Sequence, residues 1–376
     1  MTSDQLAETS PGARARVIKL GLDIHASLIV VVRQVDESCP QPPQRFSEEG
    51  FIGFVRRQLA QAESVHSCYE AGPFGFVLHR RLAAMGVHNL VVRPRDWDTY
   101  GERVKTDARD AGALCSCLDR YLAGNRRALS VVWVPSEAQE ALRSVGRQRQ
   151  RLMQERTRIT LRGKGVARLR GLSLPSTWWH ERSFLKLELP EDLRSELASW
   201  QRIALQIEAE LTVLTAQLQA AAPAGLPLAL GSMTWELLRR EVGDWGRFHN
   251  RRQVASYTGL CPSEHTSGRS RLQGHINRHG NPRIRHLLVE AAWRLLRYQP
   301  TYHAVRKWRE PWLATAVRPA RRKKIIVAIA RQLAIDLWRL ATDRATPQQL
   351  GFVISPLWSG GPPVVPLGPA LRPVAS

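Results

Sequence analysis

The sequence predicts a mixed α/β domain at the N-terminal end, a helical coiled-coil segment in the middle and a mostly α-helical C-terminal domain. Three observations lead to this prediction. Short apolar runs alternate with amphipathic stretches from residue 15 to about residue 134, as in domains that place helices on a sheet. Apolar residues then recur with a seven-residue period. Helical patterns dominate residues 247–341.

The N-terminal elements follow from their apolar runs. The runs at 17–24 and 28–35 predict adjacent strands with a hairpin turn near 25–27, and the spacing of Phe51, Phe54, Val55 and Leu59 predicts one apolar helix face. The predicted order is strands at 17–24, 28–35 and 44–47, a helix at 48–61, a strand at 65–70, a helix at 74–85, a strand at 87–92 and a helix that contains 107 and 110. This order is expected of a ribonuclease-H-like domain.

The middle of the chain predicts two long helices. In the second, apolar residues alternate steps of four and three from Leu193 to Leu218, which is a heptad seam. This seam fits either a helical hairpin within one subunit or a coiled coil that also mediates dimerisation. Trp178 and Trp179 precede it; we predict that they are buried under the helices, although indole rings can also stack on bases.

The predicted organisation has five parts. They are a disordered leader at 1–14, the α/β domain at 15–135, a basic helix and coiled coil at 136–222, a C-terminal domain at 223–345 and a Pro/Gly-rich tail at 346–376.

The net charge of the chain indicates which class of partner it binds. The 376 residues include 55 Lys and Arg against 33 Asp and Glu, a net charge of +22, which favours a polyanion such as nucleic acid. A membrane partner is the weaker alternative, because no apolar run reaches the roughly 18–20 residues of a membrane span. The polar start does not resemble a secretory signal. Five scattered cysteines predict free thiols in a reducing cytoplasm and no structural zinc.

Four acidic residues form the first candidate site. Asp23 ends the first predicted strand, Glu70 ends another, and Asp107 and Asp110 lie three apart on one helix face. Carboxylate oxygens suit Mg²⁺ or Mn²⁺, which neutralise phosphate charge and activate an attacking oxygen. The alternative is that each carboxylate makes an ordinary salt bridge or helix cap. His25 shares a strand face with Asp23, but we assign it a packing or capping role.

A polar, glycine-bearing stretch forms the second candidate site. Between residues 269 and 285 there are five arginines and no acid, which predicts a phosphate-binding surface. Ser267, followed by Gly268, has the position of a nucleophile that attacks phosphorus. It is also one hydroxyl among several, since Ser263 and Ser270 lie nearby.

Basic side chains are the candidate nucleic-acid contacts. Lys and Arg crowd residues 140–170 with few acids between them, so we predict phosphate contact over a merely solvated helix face. The candidates are Arg147, Arg151, Arg158, Arg162, Lys164, Arg269, Arg271, Arg278, Arg283 and Arg285.

Taken together, these motifs resemble one family. The pattern Gly21-Leu22-Asp23-Ile24-His25, Glu70-Ala71-Gly72, Lys105 to Ala111, Gly259-Leu260-Cys261-Pro262, Ser267-Gly268 and Gly280 to Arg285 resembles the DEDD-type insertion-sequence transposases, the serine-dependent, RNA-guided bridge recombinases. The resemblance runs from about residue 16 to residue 342.

The resemblance implies a particular domain arrangement and reaction mechanism. It implies a RuvC-like N-terminal domain whose Asp23, Glu70, Asp107 and Asp110 hold Mg²⁺, and a C-terminal domain whose Ser267 attacks the scissile phosphate. It further implies homodimers or homotetramers, a site shared between subunits, and a structured non-coding guide RNA. Such a protein acts on DNA element ends and targets in a prokaryotic cytoplasm, in association with the nucleoid.

We therefore predict a recombinase that moves its own element through a phosphoserine intermediate. One alternative is a RuvC-like endonuclease that hydrolyses DNA with a metal-activated water. Another is a non-catalytic protein that binds RNA or DNA on the same fold. A P-loop ATPase is excluded, because Gly163-Lys164-Gly165 lacks the required spacing.

Overall fold

The computed structural model of the protein describes residues 14–94, 106–223, 225–267, 270–314 and 318–354, with the backbone alone at 265, 267, 270, 271 and 273. The chain divides into two compact units, Met1–Val134 and Pro135–Ser376. The leader predicted for residues 1–14 lies outside the described residues except for Arg14.

The N-terminal unit is built on a five-stranded mixed sheet. The strand order is β3-β2-β1-β4-β5, in which β1 runs antiparallel to β2 and parallel to β4. Its elements are β1 (Ala15–Ile24), β2 (Ile29–Val35), β3 (Gln44–Phe46), α1 (Glu48–Gln61), β4 (Ala62–Glu70), α2 (Val77–Ala84), β5 (His88–Val92) and α3 (Asp107–Leu122). The predicted order of strands and helices is confirmed.

Helices cover both faces of the sheet, because alternate residues of β1 point to opposite sides. Ile18, Leu20 and Leu22 are fully buried in one core with α1 and α2. On the other face, α3 packs against β1 and β2, and Ala111 and Cys115 are buried there. Burial of each such aliphatic side chain contributes about 1.5–3 kcal/mol, so the central strand is firmly held.

The C-terminal unit is mostly helical, as predicted, with one two-stranded hairpin. Its elements are α4 (Glu137–Leu169), α5 (Glu181–Leu185), α6 (Glu191–Ala220), α7 (Ser232–Val242), α8 (Arg251–Thr258), β6 (Pro262–Ser267), β7 (Ser270–Ile276), α9 (Pro282–Tyr298), α10 (His303–Leu313), α11 (Pro319–Ala341) and α12 (Pro347–Leu350). A capping box formed by Ser136 and Gln139 begins α4. Within the described residues, no helix combines the length and apolar character that a bilayer span requires.

The two long helices, α4 and α6, pack against each other within the chain. The predicted seam is buried at most of its positions, including Leu193, Leu197 and Leu218. Trp178 is fully buried and Trp179 is 7% exposed, so the predicted burial of this pair is confirmed. Trp178 fits because a Cβ on Gly163 would lie 2.1 Å from its ring.

A second core joins α7 to α11. It includes Leu288 and Leu295 of α9 with Ile329 and Leu333 of α11, all fully buried. Residues 346–354, which the sequence assigned to the tail, belong to this core: they include α12, and Phe352 stacks on Tyr302 at 4.3 Å. The tail was assigned from composition, whereas Leu350 and Phe352 are buried in this core and Gln299 Nε2 donates to Val353 O at 2.7 Å.

Candidate functional site

Strand register brings Asp23 and Glu70 to one edge of the sheet. Gly21 is paired with Cys68 and Leu22 with Tyr69 across the parallel β1–β4 ladder, so Asp23 and Glu70 follow at the same level. Residues at the same level of parallel neighbours point to the same face. That face is the one covered by α3, because Cys68 Sγ contacts the carbonyl oxygen of Leu114 at 3.4 Å.

Gly21 lets α3 approach the sheet. A Cβ at this position would lie 2.2 Å from the carbonyl oxygen of Ala111 and 2.4 Å from the amide nitrogen of Cys115. Both are backbone atoms of a helix, which cannot move aside by changing a rotamer. The missing side chain therefore sets the distance between α3 and β1, two residues before Asp23.

The first turn of α3 carries Asp107 and Asp110 toward this edge. The helix begins after Thr106, whose carbonyl oxygen accepts the amide hydrogens of Arg109 and Asp110 at 2.9 and 3.1 Å. Carboxylates in the first turn of a helix are favoured by the unpaired backbone N–H groups there. This preference allows two acidic residues close together in a chain that has few of them.

Asp23 and Asp107 meet around His25. His25 Nε2 lies 3.2 Å from Asp23 Oδ2 and 3.4 Å from Asp107 Oδ2. The histidine is turned toward the carboxylates by a tight turn in which its amide donates to Leu28 O at 2.8 Å. All three side chains are partly open to solvent, with exposed fractions of 24% to 46%. The group is therefore accessible to a substrate.

The donor atoms fit a divalent cation. One atom from each of Asp23, His25 and Asp107 lies within 4.8 Å of the others. Two carboxylate oxygens suit Mg²⁺ or Mn²⁺, and the imidazole nitrogen favours Mn²⁺ over Mg²⁺. In the part of the chain that the structure describes, Glu70 and Asp110 flank this group without joining it.

His25 is the residue that sequence reasoning set aside. The i, i+2 relation to Asp23 signalled a shared face, but the contact with Asp107 depends on where α3 lies. We name Asp23, His25 and Asp107 the carboxylate cluster.

The predicted nucleophile lies at the tip of the β6–β7 hairpin. Ser267 ends β6 and is paired with Ser270 of β7, and residues 268 and 269 between them lie outside the described residues. The sequence predicted a polar loop here, and the two strands were missed because they lack apolar alternation. Ser263 lies further from the tip, where a Cβ on Gly274 would meet its Oγ at 2.4 Å.

The base of the hairpin is fixed by a close crossing of two backbone segments. Gly259 ends α8 in the left-handed region with φ of 66°, which glycine adopts without strain. Amides of Asn277 and Asn281 donate to Cys261 O and Tyr257 O, each at 2.8 Å. A Cβ on Gly280 would lie 2.2 Å from Gly259 N, so both glycines are required by the crossing.

Asn281 links this crossing to a buried ion pair. Its Oδ1 caps α9 by accepting the amide of Arg283 at 2.9 Å, and its Nδ2 donates to Glu241 Oε2 at 3.1 Å. Arg147 donates to both oxygens of Glu241, at 2.8 and 3.2 Å. Burial pushes the pKa of Glu241 upward, but Arg147 and Asn281 outweigh it and leave the pKa below its ordinary value.

Several arginines predicted to contact nucleic acid also contact the protein. Arg147 pairs with Glu241, Arg283 Nε donates to Gln150 Oε1 at 2.7 Å, and Arg285 Nη1 donates to Thr258 O at 3.2 Å. Arg162 lies over the Trp200 ring at 4.9 Å. Arg158 pairs with Glu155 at 3.1 Å on the exposed face of α4.

For the other residues predicted to contact nucleic acid, the structure shows fewer contacts or does not describe the side chain. Arg278 adopts a left-handed φ of 56° at the hairpin base, and Arg151 is exposed on α4. Lys164 is half-buried on the same helix. Arg269 lies outside the described residues, and the side chain of Arg271 is not described.

The basic run on α4 is also less unbalanced than its sequence indicates. Arg156 pairs with Glu208 of α6, and Arg170 pairs with Asp192. These acids lie 22 to 52 positions away along the chain. Charge counted within one helix therefore missed the partners that the helical hairpin supplies.

Comparison with known proteins gives a consistent result. Residues 229–306, which hold the hairpin and the backbone crossing, match the family model "Transposase IS116/IS110/IS902 family". The chain is 30% identical over 79% of its length to a Sinorhizobium fredii protein named "Putative transposase y4qE", of which the match covers 80%. A second protein of that organism, y4rJ, is 32% identical over 72% of the chain and 75% of its own length. The transposase for insertion sequence element IS1111A of Coxiella burnetii is 25% identical over 71% of the chain and 75% of its own length.

Proposed function

The chain belongs to the IS116/IS110/IS902 family of transposases, and from that premise we propose that it cuts and rejoins DNA strands through a phosphoserine intermediate at Ser267, with its carboxylates holding Mg²⁺ or Mn²⁺. The observation that carries this proposal is the meeting of Asp23 and Asp107, residues 84 positions apart in sequence, at one edge of the N-terminal sheet.

The carboxylate cluster has the donors and the exposure that a phosphate-processing site needs. A divalent cation bound there would stabilise negative charge on the phosphate oxygens. Glu70 on β4 and Asp110 on α3, which lie outside the cluster, would supply the other two carboxylates of the proposed metal-binding tetrad. The mixed sheet with α3 over its central strand supports a ribonuclease-H/RuvC-like assignment of this unit.

Ser267 supplies the nucleophile. Its Oγ attacks phosphorus and loses its proton, an Oγ–P bond forms, and one bridging P–O bond of the DNA breaks. The leaving sugar oxygen takes up a proton and departs as a hydroxyl. In the reverse direction, a sugar hydroxyl from another strand attacks the phosphoserine, which reseals the backbone and frees the serine without nucleotide hydrolysis.

The proposal includes the partners that the family resemblance implies, which are DNA at element ends and targets and a structured non-coding guide RNA. The net charge of +22 supports polyanionic partners of this kind. The α4–α6 helices mediate assembly into a homodimer or homotetramer, so that the serine of one subunit serves the carboxylates of another. The site of action is the prokaryotic cytoplasm, at the nucleoid.

Trapping the covalent intermediate tests the proposal. The full-length protein is incubated with Mg²⁺, end-labelled donor DNA and RNA transcribed from the DNA that flanks the gene, then quenched in detergent. We expect a labelled protein–DNA adduct that mass spectrometry assigns to Ser267. The Ser267→Ala variant loses the adduct, and Ser263→Ala, which removes a nearby hydroxyl of the same strand, retains it.

Each alternative function gives a different pattern. Cleavage that persists in Ser267→Ala without an adduct would indicate hydrolysis by a metal-activated water. Asp23→Asn that keeps full activity in transposition would indicate a non-catalytic nucleic-acid-binding role. Either result contradicts the phosphoserine mechanism.

A further inference from the structure

The C-terminal unit contains a cavity of about 890 Å³ that the proposed mechanism does not use. It opens between the start of α8, one face of α10 and one face of α11. Its lining includes Arg251 and Arg252 of α8, Lys307 and Trp308 of α10, and Arg331 and Arg339 of α11. We name it the cationic cleft.

Positive charge dominates the cleft. Five arginines, one lysine and two histidines line it, and its described lining contains no carboxylate. Like charges brought together repel one another, so such a group lowers stability unless a ligand of opposite charge binds. Asp336, which lies beneath the cleft, pairs with Arg339 and His303, so it offsets only part of this charge. On α4, acids from α6 and α7 pair with Arg156 and Arg147.

Two of the arginines lie where the fold gains nothing from them. Arg251 and Arg252 are the first two residues of α8, and both are exposed. Cations in the first turn of a helix oppose the helix dipole and cost about 0.3–1 kcal/mol each. The helix start is already capped by Asn250, whose Oδ1 accepts the amides of Arg252 and Gln253 at 3.0 and 3.1 Å. Both guanidinium groups are therefore available to an anionic ligand at the cleft.

A buried carboxylate beneath the cleft holds two of its lining side chains in place. Asp336 is fully buried and accepts hydrogen bonds from Tyr302 at 2.7 Å and Arg339 at 3.3 Å, and His303 Nε2 lies 2.6 Å from it. Burial and the Asp336 charge raise the pKa of Tyr302 well above its ordinary value. The phenol therefore stays a neutral donor, and Asp336 fixes His303 and Arg339 at the cleft wall.

Two residues of the lining each carry a buried nitrogen that lacks a hydrogen-bond partner among the described residues. Trp338 is 5% exposed, and its Nε1, like Arg331 Nε, has no hydrogen-bond partner among the described residues. An indole N–H can only donate. Trp308 adds a half-buried ring with Lys307 Nζ 5.4 Å from its centroid. Donors, cations and an aromatic ring are the groups that bind nucleic-acid strands.

We propose that the cationic cleft binds the phosphodiester backbone of a nucleic-acid strand. The volume is near the top of the roughly 300–1,000 Å³ range of ligand sites, more than a single phosphate ion fills. Cations from three helices match several successive phosphates better than one small anion. The inference rests on the proposed function in that the partner is nucleic acid, but it does not depend on the serine or the carboxylates.

The test measures binding without cleavage. Full-length protein is titrated in EDTA against fluorescein-labelled single-stranded DNA, duplex DNA and RNA transcribed from the DNA that flanks the gene, at stepped salt concentrations. The variant is Arg251→Gln/Arg252→Gln. Its matched control is Arg56→Gln/Arg57→Gln, which removes the same charge from two exposed positions of α1.

We expect the cleft variant to bind at least one probe about tenfold more weakly, with the slope of log affinity against log salt reduced by about one to two. The probe affected identifies the strand as DNA or RNA. Thermal unfolding of the variant should occur at or slightly above the wild-type temperature, because unfavourable cations leave the α8 terminus. Lys307→Gln, on a different helix, should weaken the same probe.

Unchanged affinity and slope for all three probes would overturn the proposal. So would an equal loss in the α1 control, which would show a general field of charge and no specific cleft. Ultraviolet crosslinking gives a second readout: crosslinks to the bound probe should map to the peptide that carries Trp308, and crosslinks confined to other peptides would also contradict the proposal. Failure of the phosphoserine mechanism would leave all these measurements unaffected.

Discussion

The carboxylate cluster and the cationic cleft each collect charges of one sign, whereas α4 pairs its charges. Asp23 and Asp107 are brought together by a helix packed on a glycine, and the cleft gathers cations from three helices. On α4, by contrast, Arg147 and Arg156 have acidic partners. In the first two places charges of one sign outnumber their partners, which are His25 in the cluster and Asp336 at the cleft, whereas each of the two α4 arginines has a carboxylate of its own.

The largest effect should come from the cluster itself. Asp23→Asn removes an anionic ligand, and we expect strand cleavage to fall about 10³-fold, equivalent to about 4 kcal/mol of transition-state stabilisation. DNA affinity in EDTA should not fall, because a negative charge near phosphate is lost. Glu63→Gln, an exposed acid at the start of β4, is the control and should cleave normally. Weaker DNA binding by Asp23→Asn would contradict this prediction, because loss of an anion would then act on DNA affinity as loss of a cleft cation does.

Gly21→Ala should disrupt the carboxylate cluster by forcing α3 away from β1. The added methyl meets the α3 backbone at 2.2 Å, so we expect the free energy of unfolding to fall by about 3 kcal/mol, the upper end for overpacking. Thermal and urea unfolding measure this. Gly112→Ala on the same helix meets no atom within 4 Å and should be neutral or stabilising by up to about 1 kcal/mol. Equal behaviour of the two variants would contradict the close contact.

Arg147→Ala tests the paired charges of α4. It leaves the buried Glu241 carboxylate without its charged partner, and we expect the free energy of unfolding to fall by about 2 kcal/mol. Removal of one partner of a fully buried pair costs about 3–5 kcal/mol, and Arg147 is 34% exposed. The salt dependence of nucleic-acid binding should stay as in the wild type. Arg151→Ala, also on α4, is the control for stability. A changed slope of log affinity against log salt in Arg147→Ala would indicate that this arginine contacts nucleic acid.

The same pair predicts a pH dependence of stability. The pKa of Glu241 is lower in the folded protein than in the unfolded chain, so the unfolded chain binds more protons as pH falls. The pair's contribution is therefore present above the unfolded pKa of about 4.3 and is lost as pH falls through the folded pKa. Arg147→Ala should lack this acid-dependent loss.

The smallest effect should come from His25. His25→Ala removes the imidazole that lies between the two carboxylates. We expect the affinity for Mn²⁺ and the rate of strand cleavage each to fall about tenfold, as for residues that support a metal site. Calorimetry measures metal binding directly. His88→Ala, an exposed histidine of β5, is the control. Unchanged Mn²⁺ affinity would limit the cluster to its carboxylates.

The N-terminal fold was largely predictable because its elements are encoded locally. The bounds predicted for α1, residues 48–61, are those observed, since one apolar face and a serine cap mark the helix. The hairpin at 262–276 was not predicted, because its stability comes from backbone pairing between polar strands. The contact of His25 with Asp107 and the convergence of Arg251, Lys307 and Arg339 depend on tertiary packing, which no local pattern reveals.

The hairpin that ends at Ser267 has a mechanical consequence. Its base is tied down by the crossing at Gly259 and Gly280, and six residues of extended strand span roughly 20 Å. The backbone of Ser267 therefore lies at the opposite end of the hairpin from the crossing that anchors it. Under the proposed function, a hairpin of this reach would present Ser267 to the carboxylates of a neighbouring subunit, so that the reaction centre would be complete only after subunits assemble on their substrate.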